Sequence, residues 1–106
     1  MIGIDIIEVS RIERLAARSS RFLTRVFTPS EVEYINSCKN KYQRMAGIFA
    51  AKEAAVKAAG GVISDYEILH SPAGKPYTTR GKEKIELSIS HEQNYAIAMA
   101  ILGGEL

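Results

Sequence analysis

Two kinds of hydrophobic patterning divide the chain. Ile2 to Ile7 is isoleucine-rich, interrupted by Gly3 and Asp5, and reads as a short strand. Ile85, Leu87 and Ile89 alternate with Glu86, Ser88 and Ser90, the signature of a half-buried strand. Tyr95 to Leu102 reads as a closing strand, with Ala96, Ala98 and Ala100 on one parity and Ile97, Met99 and Ile101 on the other. The alanine face invites close packing by another element, for which a long helix is the best candidate. Tyr66 to His70 reads as a further strand. Ser71 to Pro76 reads as a turn favoured by Pro72 and Gly74, and His91 to Asn94 as a hairpin loop.

Elsewhere the period is helical. Ser10 and Glu13 stand at capping-box spacing and predict a helix from about Arg11, with Ile12, Leu15 and Ala16 as its apolar stripe. Ser19-Ser20 breaks it, and Arg21 to Val26 supplies another helical turn with Phe22 and Val26 on one face. Thr28-Pro29-Ser30-Glu31 is a second start signal, opening a helix to about Asn36. The longest helix is predicted from about Tyr42 to Ala59. It is rich in alanine and stopped by Gly60-Gly61. The expected fold class is α+β, a small antiparallel sheet packed against a long central helix.

Composition narrows the function classes. The 106 residues are expected to form one domain spanning 1–106, and 46% hydrophobic with 25% charged residues excludes disorder as the main state. The formal charge of +2 is too balanced for a general nucleic-acid binder. Cys38 is the one cysteine, so no internal disulfide forms and a reducing cytoplasm is the expected compartment. No apolar run approaches a membrane span, and the first residues lack the basic-then-apolar order of a secretion signal. A chain this short also gains stability from subunit contacts, so a homo-oligomer is expected.

The charge is uneven. Arg11, Arg14, Arg18, Arg21 and Arg25 lie between Val9 and Phe27 against a single acid, Glu13, while all the lysines lie elsewhere. Arginine grips carboxylates and phosphates better than lysine does, so the segment reads either as a docking surface for an acidic partner or as a solvated helix face.

The candidate chemistry sits on the long helix. Phe49, Glu53 and Lys57 recur every four residues and share one face near Gly60. Glu before Lys at this spacing is also the ordinary surface ion pair. An alanine helix is built to be packed around, however, and charges it carries into an enclosed setting need a metal, a phosphate or a partner. Asp5 is out of place in an isoleucine strand, either as a strand-end cap or as a functional carboxylate. His91 stands at the end of a strand, where a plain surface role is the alternative to a functional one.

Taken together, three segments resemble the holo-[acyl-carrier-protein] synthases, the small trimeric branch of the 4′-phosphopantetheinyl transferases. Gly3-Ile-Asp5-Ile-Ile-Glu8 with Arg11 is similar to that family's opening motif. Phe49-Ala-Ala-Lys52-Glu53-Ala-Ala-Val-Lys57-Ala58 is similar to its helical signature, and Ser88-Ile-Ser-His91 with Tyr95-Ala96 to its third. Arg21-Phe22 through Thr28 and Glu31, and Gly74-Lys-Pro76, fall in order between them. The resemblance implies the 4′-phosphopantetheinyl transferase fold and an Mg²⁺-dependent transfer of phosphopantetheine from coenzyme A to a serine of apo-acyl carrier protein, in fatty acid biosynthesis. It implies Asp5 and Glu53 as metal ligands, with Lys57 and His91 completing the catalytic set and contacting coenzyme A phosphates. Pro76 and the Gly60 turn would border the nucleotide. Arg11, Leu15, Arg18, Arg21 and Phe22 would face the carrier protein. It further implies a homotrimer in which two chains meet at each site. Ile48 departs from the family's arginine before the signature, and the Gly60 to Tyr66 segment is short, so the nucleotide end is expected to be more open. The competing reading is a non-catalytic basic module that binds an acidic protein or RNA.

Overall fold

The computed structural model describes residues 1–103. Strand β1 (Ile2–Glu8) leads into helices α1 (Val9–Arg18), α2 (Ser20–Val26), α3 (Pro29–Asn36) and α4 (Lys41–Ala59). A 3-10 turn (Ile63–Asp65) precedes strands β2 (Leu69–His70), β3 (Pro76–Arg80), β4 (Glu83–His91) and β5 (Tyr95–Leu102). The five strands form one antiparallel sheet in the order β1-β5-β4-β3-β2. The fold is α+β, with α4 lying across the sheet as expected.

Close approach of α4 to the sheet rests on small residues. Ala96, Ala98 and Ala100 of β5 are buried, as are Ala46, Gly47, Ala50, Ala51, Ala54, Ala55 and Ala58 of α4. Gly3 decides the contact with β1: a Cβ there would lie only 2.8 Å from the Ala58 nitrogen and would overlap the Ala54 carbonyl oxygen. Ile12, Ile35, Phe27 and Ile85 complete the core around this helix.

The predicted boundaries hold for α3 and β5, and α4 starts one residue earlier than expected. Thr28 caps α3 as its sequence foretold, accepting from the Glu31 N–H while the Glu31 carboxylate accepts from the Thr28 N–H. Four elements differ. Helix α1 begins at Val9 without a side-chain cap, because the strand runs straight into the helix and the Val9 N–H is satisfied by the Asn94 carbonyl, 2.8 Å away in the β4–β5 hairpin. The strand expected over Tyr66 to His70 shrinks to Leu69–His70. Its backbone groups bond side chains instead: the Ile68 N–H donates to Glu31 (2.7 Å) and the Glu67 carbonyl accepts from Thr78 (2.7 Å). His91 belongs to β4 rather than to the loop after it. Strand β3 was not anticipated. Its first residue, Pro76, closed the assigned turn, and it pairs with β4 through a tight hairpin in which Gly81 has φ 60°.

The sheet face away from α4 is apolar and open. Ile2, Ile4, Ile6, Ile97, Met99 and Ile101 form cross-strand pairs there, with Ile6 63% and Ile4 50% exposed. No helix among the described residues is long and apolar enough to cross a membrane.

Candidate functional site

Asp5 shares the β1 face of Gly3 and Ile7, so it points toward α4. Lys57 reaches it from the last turn of that helix. Its Nζ donates to the Ile4 carbonyl at 2.9 Å and to Asp5 Oδ1 at 3.2 Å. Glu53 lies one turn earlier on the same helix face and is half-buried. Phe49, a further turn back, packs on Phe22 with ring centroids 6.2 Å apart. The stripe thus runs from an aromatic contact on α2 to an ion pair on β1, with Glu53 between.

The fully enclosed charge on α4 is another residue. Lys52 is 1% exposed, and its Nζ lies 2.5 Å from Glu31 Oε1 and 2.6 Å from the Val26 carbonyl. Burial of charge in this alanine-rich helix is therefore explained at Lys52 by a protein partner, with no ligand required. Glu53 and Lys57 stay accessible, which is what a binding role needs.

The helix end beyond Lys57 is held by contacts across the chain. Gly60 has φ 84°, open to glycine but strained for other residues. The Gly60 carbonyl accepts from the Tyr66 hydroxyl at 2.5 Å, and Arg80 Nη1 donates to the Ala59 carbonyl and the Tyr66 oxygen, each at 2.9 Å. A guanidinium at the last carbonyls suits the negative end of the helix dipole. Neither Tyr66 nor Arg80 stood out in the sequence, because the signal is a contact between segments that only the β3–β4 hairpin brings together.

His91 and Pro76 lie elsewhere. Both line a cavity of about 220 Å³, with Tyr34, Arg44, Ile48 and His70 among the other walls. His91 Nδ1 is 3.0 Å from Gln43 Oε1, and the His70 ring stacks on Tyr34 with centroids 4.6 Å apart. Burial, and then the nearby Arg44 charge, push both imidazoles below the ordinary histidine pKa. Gly47, in the wall of this cavity, precedes Lys57 by ten residues, about 15 Å along the helix. Within one chain the candidate residues therefore fall into two half-sites, Asp5-Glu53-Lys57-Gly60 and Pro76-His91.

Arg11, Arg14, Arg18, Arg21 and Arg25 are all exposed and pair with no acid among the described residues. Leu15 and Phe22 are half-buried. Phe22 also stacks edge-on against core Phe27 at 6.0 Å, so it packs into the core as well as bordering the arginine surface.

Residues 1–100 match the family model of the 4′-phosphopantetheinyl transferase superfamily. The chain belongs to that family. A holo-[acyl-carrier-protein] synthase of Clostridium tetani is 42% identical over 98% of this chain and 95% of its own length. That of a Thermoanaerobacter species is 43% identical over 98% of this chain and 88% of its own. Among solved structures, the Helicobacter pylori holo-[acyl-carrier-protein] synthase in complex with coenzyme A superposes with TM-score 0.83 at 37% identity, covering 97% of this chain and 100% of that one. The Bacillus anthracis synthase, in complex with coenzyme A (3′,5′-ADP), gives 0.81 at 36% identity, covering 95% and 93%.

Proposed function

We propose that the chain transfers the 4′-phosphopantetheine group of coenzyme A to a serine of apo-acyl carrier protein, as an Mg²⁺-dependent holo-[acyl-carrier-protein] synthase. The serine oxygen forms a bond to the pantetheine-side phosphorus, the diphosphate bridge breaks, and adenosine 3′,5′-bisphosphate leaves. The observation that carries this reading is the convergence of Asp5 and Lys57 beside Glu53, in a chain whose relatives carry this activity by name.

The donor set suits Mg²⁺. No group of three or more His, Cys, Asp or Glu exists among the described residues, so a closed protein cage of the zinc kind is not available. Two carboxylates with the other positions left to water and phosphate oxygens is the usual arrangement for Mg²⁺. Asp5 and Glu53 would hold the ion, and bound there it would offset negative charge on the diphosphate. Lys57, 53% exposed and anchored to the Ile4 carbonyl, is positioned to hold phosphate oxygens of the leaving group. The attacking serine must lose its proton, for which the Glu53 carboxylate is the candidate acceptor.

The two half-sites support a site shared between chains. Pro76 and His91 of one subunit would complete the Asp5-Glu53-Lys57-Gly60 set of the next. The open face of β1 and β5 offers the contact surface for a homotrimer. The unpaired arginines of α1 and α2, with Leu15 beside them, fit an acidic carrier protein.

Purified protein, apo-carrier protein, coenzyme A and Mg²⁺ should yield carrier protein heavier by one phosphopantetheine group. Glu53→Gln should abolish the gain while leaving far-UV circular dichroism and oligomeric state unchanged. Transfer that persists in Glu53→Gln, or in excess chelator, would sink the reading.

A further inference from the structure

Helix α4 does not complete its own C-terminus. Gly60 has φ 84° and ψ −168°, a region essentially confined to glycine, so the chain leaves the helix without the left-handed α residue of a common glycine cap. One backbone bond closes the end, from the Gly60 N–H to the Val56 carbonyl at 2.7 Å. The carbonyls of Ala59 and Gly60 take their donors from other segments, as orphan groups at a helix end must. Arg80 of β3 serves the first and the Tyr66 hydroxyl the second. Because Arg80 Nη1 also donates to the Tyr66 oxygen, guanidinium, hydroxyl and Gly60 carbonyl form one chain of hydrogen bonds whose members polarise each other.

The short segment after α4 is folded for this contact. Tyr66 is 1% exposed, so its ring holds the hydroxyl in a fixed place. The Val62 N–H donates to Asp65 Oδ2 at 2.9 Å and turns the segment back ahead of Tyr66. Gly61, with φ 80°, leaves room for the guanidinium, since a Cβ there would lie 2.5 Å from Arg80 Nη1. Exposed arginines ordinarily sample many rotamers. Arg80 is exposed too, yet two acceptors and a glycine seat hold it against the end of α4.

The functional group nearest this lock along the helix is Lys57, two residues before Ala59 and about 3 Å along the axis. Its side chain is 53% exposed and rooted in the last turn, the part of a helix that frays most readily. Packing of β1 reaches α4 as far as the Ala58 nitrogen, at Gly3. Beyond Ala58 the turn is finished by Arg80 and Tyr66. Both N–H groups of Arg80 Nη1 are committed to Ala59 and Tyr66, so its influence on a ligand runs through the helix end.

We propose that Arg80 and Tyr66 are positioning residues for Lys57: they lock the last turn of α4 and, through it, the grip of the Lys57 ammonium on the phosphate oxygens of coenzyme A. The proposal rests on the transferase reading and adds to it two residues that act without touching the ligand.

Calorimetric titration of coenzyme A into the full chain with Mg²⁺ gives a Kd that needs no turnover and is independent of the fraction of folded protein. Lys57→Gln should weaken binding by about tenfold or more, the usual consequence of losing a hydrogen bond to a charged group. Arg80→Gln should weaken it by about threefold to tenfold, but by less than about twofold when Lys57→Gln is already present, because no ammonium is left to misplace. Tyr66→Phe, which keeps the buried ring, should show the same dependence on Lys57 with a smaller loss. Arg80→Lys should recover part of the Arg80→Gln loss, since it keeps a charged donor for the Ala59 carbonyl. A merely structural role would not depend on Lys57. Equal losses from Arg80→Gln with and without Lys57, or an unchanged Kd in Arg80→Gln, would overturn the assignment and leave the transferase reading intact. Wild-type protein that binds no coenzyme A would overturn the transferase reading, and this assignment with it.

Discussion

Lys52 and Glu53 are adjacent in sequence, yet the structure gives them different tasks, and a paired set of substitutions separates these. Lys52 is 1% exposed and Glu31 2%. The Glu31 carboxylate accepts from Lys52 Nζ, from the Thr28 N–H at 2.8 Å and from the Ile68 N–H at 2.7 Å. One side chain therefore ties α4, the start of α3 and the segment before β2 together. Replacing Glu31 by Gln keeps its shape but removes the charge that balances a buried ammonium, and it turns an N–H₂ toward groups that are all donors. Breaking such a buried pair costs about 3–5 kcal/mol. Lys52→Met leaves a carboxylate that keeps two backbone donors, so its cost should fall just below that range, about 2–3 kcal/mol. The double variant Glu31→Gln/Lys52→Met should be more stable than Glu31→Gln alone, because the uncompensated charge is gone. Urea unfolding at one fixed protomer concentration measures all four proteins, and fixing the concentration matters for a chain that self-associates. Transfer activity of folded Lys52→Met at low temperature should stay within a few-fold of wild type, in contrast to Glu53→Gln. A Lys52→Met midpoint indistinguishable from wild type would refute the account of the buried pair.

Three further outcomes are expected. Gly3→Ala should destabilise the protein by several kcal/mol or prevent folding, since its Cβ meets the α4 backbone at Ala54 and Ala58. Thermal melting and soluble yield measure this, and a variant as stable as wild type would contradict the close packing of β1. Hydrogen bonds from Thr28 and Ser30 hold Glu67 below the ordinary carboxylate pKa, so its contribution is complete above the unfolded-state value and fades as pH falls through the folded one. Glu67→Gln should therefore flatten part of the acid-side decline in stability below about pH 4.5, read from urea midpoints across pH. Paired Ile4→Lys and Met99→Lys changes on the open sheet face should shift the protein toward monomer by sedimentation velocity and lower transfer activity, whereas an unchanged oligomer would remove that face as the interface.

The elements legible in the chain were those whose signals are local. Thr28-Pro29-Ser30-Glu31 carries its own capping box, Gly60-Gly61 ends α4, and the alternation in β4 and β5 sorts their faces without reference to any other segment. Asp5, Glu53 and Lys57 stood out as charges among isoleucines and alanines, and the resemblance of the joined motifs, more than their local pattern, made them candidates. What the linear order could not supply were partners distant along it. Lys52 looks like any other lysine in a helix until α3 brings Glu31 against it. Tyr66 to His70 reads as a strand until Glu31 and Thr78 take its backbone hydrogen bonds. His70 and Arg44 had no distinguishing pattern, and they become a feature only when β2 and α4 close one cavity. The division follows from the range of the forces: steric and dihedral preferences act within a few residues and leave a mark in the chain, whereas the burial of charge and the shape of a cavity depend on which surfaces meet. For this protein the local pattern determined the helices and the strand faces, the joined motifs pointed to the carboxylates, and tertiary packing decided which charges are enclosed, which remain open to ligand, and that the candidate residues divide into two halves.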